Sequence, residues 1–418
     1  MFNFTFIKKI KNKIFPFYKN RELKLVFKTL QEGHPKETKV AMFVGGCVRK
    51  YLTNEKINDI DIATALTIDS LKQKFKDTNF KIIDTGVEHG SVTLITNDLK
   101  LEITTLRKDV KTDGRHAEIE YTENWQEDSN RRDFTFNAIY LDINGKIFDP
   151  QSGVLDLKNR IVKFIGDPNK RIEEDFLRIL RFIRFSLEYS SAIDKSTLKA
   201  VKFNLDGIKK ISKERIYSEL LKILSLKNFL IIHENQSIKE VFAIIFPELK
   251  YLKRLIRIHE VSKALPLDKN ILLAILLIDE KNNHEYFLHK YNVSNVLKKE
   301  LNFLHDNYQI FKKDRKYFHG NLKKNIFYIG KENLQKINLI NFSCNDKIKI
   351  KDYLNVFNLI KKTSVPKFPY DGNYLKNKGL IEGLKIGSIL ELIKQEWVKN
   401  DFKISENKVE KIIKDNSH

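Results

Sequence analysis

Two aspartates flanking one apolar residue, Asp59-Ile60-Asp61, are the strongest candidates for chemistry in this chain. In an extended strand residues i and i+2 share a face, so both carboxylates point one way while Ile60 faces a core. Held side by side they repel each other, and a divalent cation relieves that repulsion. Hard oxygen donors of this kind suit Mg²⁺, which completes its shell with water and substrate phosphates. Upstream lie Gly45 and Gly46, which let backbone approach a ligand closely, and then a helix start whose free N–H groups attract an anion. Arg49 adds a fixed positive charge one turn into that helix. A pair of glycines or a lone D-x-D is usually a turn or a surface feature. Together they describe a site for a metal-bound triphosphate.

These residues need a strand, a glycine turn, a short helix and a returning strand, which FVGGCVRKYLTNEKINDIDIA provides. Further strands are expected over 80–84, 91–96, 101–106 and 117–121, with a turn at Asn97-Asp98 and a hairpin at Asn144-Gly145. Glycine is absent between Gly207 and Gly320, so the rest of the chain can run as long helices. The predicted class is α+β: a head with a mixed sheet, followed by all-α segments. Length supports several domains: 418 residues exceed one simple core. The net charge of +22 predicts a polyanionic partner, nucleic acid first, and no apolar run is long enough to span a bilayer. Cys47 and Cys344 cannot build a disulfide framework or a structural zinc site, and a reducing cytoplasm fits. Residues 1–18, basic and apolar, are expected as an amphipathic helix packed on the body rather than a targeting segment.

Later polar groups fall into clusters. Glu102 lies between Leu101 and Ile103, an acid on a strand beside the D-I-D, and is a candidate third carboxylate. Arg131-Arg132-Asp133, with Asn137 behind, sits in a pattern read as helical over 125–140; guanidinium forks grip phosphate or ribose oxygens, while Asp133 accepts from a ribose hydroxyl or holds one arginine in place. A short strand is expected over 160–166. The stretch 171–189 reads as one helix in which Glu174, Asp175, Arg178, Arg181 and Arg184 form a polar stripe among apolar residues. His305-Asp306 reads as a surface pair.

The strings G-G-x-V-R…D-I-D, R-R-D-F-T-x-N-A and E-D-x-x-R resemble the motifs of the class II tRNA nucleotidyltransferase/poly(A) polymerase family, specifically over 40–225 and loosely to the end. The resemblance implies a catalytic head over 1–150, a base-recognising neck over 151–225, a helical body over 226–330 and a tRNA-binding tail over 331–418. It implies addition of CCA to the tRNA 3′ end from CTP and ATP, with Mg²⁺ on Asp59 and Asp61. Gly45, Gly46, Arg49, Arg131 and Arg132 would hold phosphates and ribose, Asp175 and Arg178 would choose the base, and Glu174 would orient Arg178. Arg181 and Arg184 would reach phosphates or the RNA end. Asp113-Gly114-Arg115-His116 matches the family's flexible loop, which CC-only members typically lack. Glu214 and Arg215 resemble a fifth motif that braces the base-reading helix. Lys50 departs from the aspartate usual after G-G-x-V-R. A poly(A) polymerase, an A-adding enzyme and a non-catalytic RNA-binding protein remain alternatives.

Overall fold

The structure, a computed structural model, describes residues 16–86, 90–96, 98–112, 117–262, 267–314, 316–379 and 383–416. Most of the expected N-terminal helix and the whole of Asp113–His116 lie outside them. The chain divides into two compact units, Met1–Pro247 and Glu248–His418.

The first unit is built on a seven-stranded mixed sheet. Its strands are β1 (Ala41–Val44), β2 (Ile60–Thr64), β3 (Lys81–Gly86), β4 (Ser91–Ile95), β5 (Lys100–Thr105), β8 (Tyr140–Leu141) and β9 (Ile147–Phe148), in the order β3-β4-β5-β2-β1-β8-β9. β2 and β5 pair in parallel, and the other neighbours are antiparallel. A separate hairpin joins β6 (Arg107–Thr112) to β7 (Ala117–Tyr121). β6 is almost entirely polar and gives no strand signal in the sequence; a hairpin needs only backbone pairing. Alternation sorts the sheet into two faces. Phe43, Ile60, Ile62, Val92, Leu94, Leu101 and Ile103 are all buried. Beside them lie α1 (Arg21–Gln31), capped by Asn20 and burying Leu23, Val26, Phe27 and Leu30, and α3 (Ile68–Phe75). Phe27 and Phe17 both pack on Phe43, at centroid distances of 4.6 and 4.9 Å. Full burial of a ring like Phe43 stabilises by roughly 1.5–3 kcal/mol, which fixes the register of the two central strands. The opposite face is divided: Met42, Val44, Ala63 and Tyr140 pack with Leu106 in a second apolar cluster, and the rest carries polar groups.

After the sheet the expectations need correction in three places. The helix over 125–140 stops early: α4 covers Trp125–Asn130, Phe134 is extended at φ −117° and ψ 148°, and Thr135–Ala138 form one 3₁₀ turn. The expected strand at 160–166 is reduced to isolated bridges, Phe134 with Phe164 and Ile161 with Ala192. The helix over 171–189 is two helices, α5 (Pro168–Glu174) and α6 (Leu177–Glu188), separated by an extended Asp175 at φ −156° and ψ 103°. The break is locked by Phe176, whose ring lies flush on Gly207; a Cβ there would meet it at 2.0 Å. α7 (Lys213–Leu224) packs along α6.

The second unit has helices and no strand among its described residues. Its longest helix, Asn295–Lys313, buries Leu297, Leu301, Leu304, His305 and Tyr308. His305 is therefore not on the surface: its ring stacks on His284 with centroids 4.2 Å apart, and Asp306 alone is exposed. Among the described residues no helix is long and apolar enough to cross a membrane.

Candidate active site

Gly45 ends β1 and opens α2 (Gly46–Leu52) at φ +71° and ψ −126°, a conformation that only glycine adopts without strain. A Cβ on Gly45 would lie 3.5 Å from a carboxylate oxygen of Asp61, so turn and acid are immediate neighbours. The Cys47 thiol ties them further, donating to the backbone oxygens of Val44 at 3.2 Å and Asp61 at 3.6 Å. Burial pushes that thiol up to about 11, so it stays protonated and serves as a brace.

Asp61 stands opposite Glu102 in the parallel β2–β5 register, and Glu102 stands opposite Thr93 of β4, so all three share the polar part of that second face. Asp59 precedes β2 by one residue and is exposed. The three carboxylates line one cleft of about 760 Å³, together with Gly45, Arg107, Arg131 and Arg132. Burial holds the Asp61 carboxyl above the ordinary range, Glu102 pushes it further, Arg132 and Arg49 pull back, and Asp59 adds a smaller push. Anionic oxygens held together against their preference fit a divalent cation. Among the described residues no three ligand-type side chains form a ready-made metal cage. That open, hard donor set suits an ion that keeps water and phosphate oxygens in its shell.

Across the cleft the charges are paired. Asp128 of α4, fully buried, takes Nε of Arg131 at 2.8 Å, Nη2 and Nε of Arg132 at 2.9 and 3.1 Å, and the hydroxyl of Tyr140 at 2.7 Å. Burial alone would raise this carboxyl, yet the two guanidinium groups and the tyrosine hold it well below the usual range. Asp133 accepts from the Phe134 N–H at 2.8 Å, Nδ2 of Asn137 at 2.6 Å and Nε of Arg181 at 2.6 Å. Against the upward push of burial, Arg181 and Asn137 bring it to about 2. Of its two expected roles, the geometry displays the holding of an arginine. Arg184 rests on Phe185, 4.0 Å from its centroid, with Nε bonded to the buried Glu219 of α7.

Arg49 is nearly buried. Nε donates to the Tyr189 hydroxyl at 3.0 Å, Nη1 donates to Oδ1 of Asn137, and the guanidinium lies 4.9 Å from the Phe185 centroid. At the helix break, Oδ1 of Asp175 caps α6 through the Leu177 N–H at 3.1 Å, and Oδ2 takes Arg215 of α7 at 2.8 Å. Arg178 donates through Nη1 to Glu174 and to the Arg171 carbonyl, both at 2.6 Å. A carboxylate offers about four lone-pair sites and a guanidinium five N–H groups, so both residues keep capacity for a ligand. Asp175, Arg178, Arg181, Arg184, Arg49, Asn137 and Asp133 line a second cavity of about 540 Å³, which shares Gly45, Asp61, Arg107, Arg131 and Arg132 with the carboxylate cleft.

Sequence reasoning missed Asp128, Tyr140, Tyr189, Glu219 and Arg107. Asp128 was detectable: it lies three and four residues before Arg131 and Arg132, the spacing of helical ion pairs. The others meet their partners only through the tertiary fold.

A sheet carrying clustered acids, joined to arginine-lined helices, is the architecture of a nucleotidyltransferase head. The family model described as the Poly A polymerase head domain matches residues 41–163, and the one described as a probable RNA and SrmB-binding site of polymerase A matches 192–252. The human CCA tRNA nucleotidyltransferase 1, mitochondrial, is 31% identical over 422 residues, covering 93% of this chain and 89% of that protein. The CCA-adding enzyme of Lactobacillus helveticus is 29% identical over 386 residues, covering 90% and 93%. Among solved structures, the Bacillus stearothermophilus CCA-adding enzyme in complex with CTP shares the fold at a TM-score of 0.71 and 22% identity, covering 94% of this chain and 96% of that one. The chain belongs to the CCA tRNA nucleotidyltransferase family, whose head works with divalent cations.

Proposed function

We infer that this chain extends the 3′ end of tRNA to CCA, using CTP and ATP without a template and releasing pyrophosphate. The observation that carries this reading is that Asp175 and Arg178 line a cavity that also contains Asp61. Cytosine and adenine each present an amino donor beside a ring-nitrogen acceptor. Asp175 accepts from the amine and Arg178 donates to the ring nitrogen. Uracil and guanine present a carbonyl beside an N–H, so like groups face each other, at roughly 1–3 kcal/mol for each buried group left unpaired.

Asp59 and Asp61 are assigned two Mg²⁺ ions, with Glu102 in support. Bound there, Mg²⁺ lowers the pKa of the RNA 3′-hydroxyl and neutralises triphosphate charge. The chain's own part is positional. The Gly45-Gly46 turn presents N–H groups to the triphosphate, while Arg131 and Arg132, fixed by Asp128, supply cationic edges to phosphate and ribose. Glu174 sets the Arg178 fork, and Arg181 and Arg184 extend the basic wall toward the RNA end. We assign the head to 1–150, the neck to 151–225, the body to 226–330 and a tRNA-binding tail to 331–418, and the cytoplasm as compartment.

The test is incubation of the full chain with Mg²⁺ and tRNA transcripts ending before the tail, after the first C and after CC, each with CTP, ATP or both. Ordered growth to CCA that then stops supports the reading. A long A ladder, A added to the CC transcript alone, or no extension overturns it.

A further inference from the structure

Arg49 lines the cavity where it was expected to grip phosphate, and two of its five N–H groups also form a cross-tie. It is carried by α2, the helix opened by the Gly45-Gly46 turn, and it donates to Tyr189 at the C-terminal end of α6 and to Asn137. Asn137 donates to Asp133, which takes Arg181 on α6. A closed circuit, Arg49–Asn137–Asp133–Arg181 and back through α6 to Tyr189, therefore joins the element that holds the triphosphate to the helix that begins with the base-reading pair. Tyr189 closes the circuit. Its ring packs on Phe136 and Phe185, at 5.5 and 6.2 Å between centroids, and only its hydroxyl reaches Arg49.

We propose that Tyr189 is a positioning residue for nucleotide choice: through Arg49 it fixes the spacing between the phosphate turn and the Asp175–Arg178 pair. The proposal rests on the reading above. A mismatched base is penalised only while it cannot slide to relieve its unpaired groups. With the triphosphate seated on α2, that freedom is the play between α2 and α6. The hydroxyl–guanidinium bond removes this play at the far end of α6, where Asp175 and Arg178 themselves have no reach.

Tyr189→Phe keeps the ring packing and deletes the bond. With the full chain, Mg²⁺ and a tRNA transcript lacking its tail, kcat/KM is measured for CTP and for UTP, alongside the melting temperature. Loss of one hydrogen bond of this strength predicts a CTP:UTP ratio lower by about fivefold, alongside at most a small fall in melting temperature. An unchanged ratio overturns the proposal, whether both kcat/KM values hold or fall together. Failure of the wild-type chain to complete CCA would instead strike the proposed function, so the two are separable.

Discussion

The two walls of the cleft handle charge in opposite ways. On the sheet side, Asp61 is held above its ordinary pKa by burial and by Glu102, with Asp59 beside it. On the helix side, Asp128 and Asp133 are more deeply buried, yet are held low by Arg131, Arg132 and Arg181. The first wall is left electrostatically unfinished and is completed by what binds. The second is finished within the chain, so its shape precedes the ligand. That division suits an enzyme whose chemistry comes from a bound cation but whose choice of base comes from its own side chains.

Substitutions on each wall should separate these roles. Asp61→Ala removes the carboxylate proposed to hold the cation and should lower kcat by roughly 10²–10³-fold or more with every nucleotide, while the melting temperature holds or rises because a half-buried, repelled charge is gone. A variant as active as wild type would break the comparison. Asp128→Ala should do the reverse: it strands Arg132 in a buried position and should cost about 3–5 kcal/mol in urea unfolding. Asp133 offers a pH test. Its carboxyl sits at about 2 against an ordinary 3.8, which corresponds to roughly 2 kcal/mol of stability, present above pH 3.8 and lost as the pH falls toward 2. The stability gap between wild type and Asp133→Asn should therefore shrink through that window, and a pH-independent gap would remove the assigned cause. The smallest effect is expected for Glu102→Gln. With one like charge gone, the Asp61 carboxyl falls, and the acid limb of the pH–activity profile should move to lower pH; a limb that stays in place would detach Glu102 from Asp61.

The sheet side was far more legible in the sequence than the helix side, for a physical reason. Strand alternation is local, so Asp61, Glu102 and the apolar residues beside them announced their faces, and β4 and β5 lie within a residue of their expected limits. The arginine wall depends on contacts between residues distant in the chain. The E-D-x-x-R string reads as continuous helix because every residue in it tolerates one. The break at Asp175 comes from Arg215, forty positions away, and from Gly207 beneath Phe176. Arg49 shows the same limit: residue type and spacing suggest a phosphate ligand, and only the fold reveals that Tyr189 and Asn137 also hold it.

On the proposed function, this chain reads the base with its own side chains. The most direct test is single-turnover incorporation by Arg178→Ala with each of CTP, ATP, UTP and GTP on a tRNA transcript lacking its tail. In that variant CTP is expected to lose its advantage over UTP, and ATP over GTP, while the Gly45–Asp61 chemistry persists as measurable incorporation. Unchanged preference for CTP and ATP would contradict this reading.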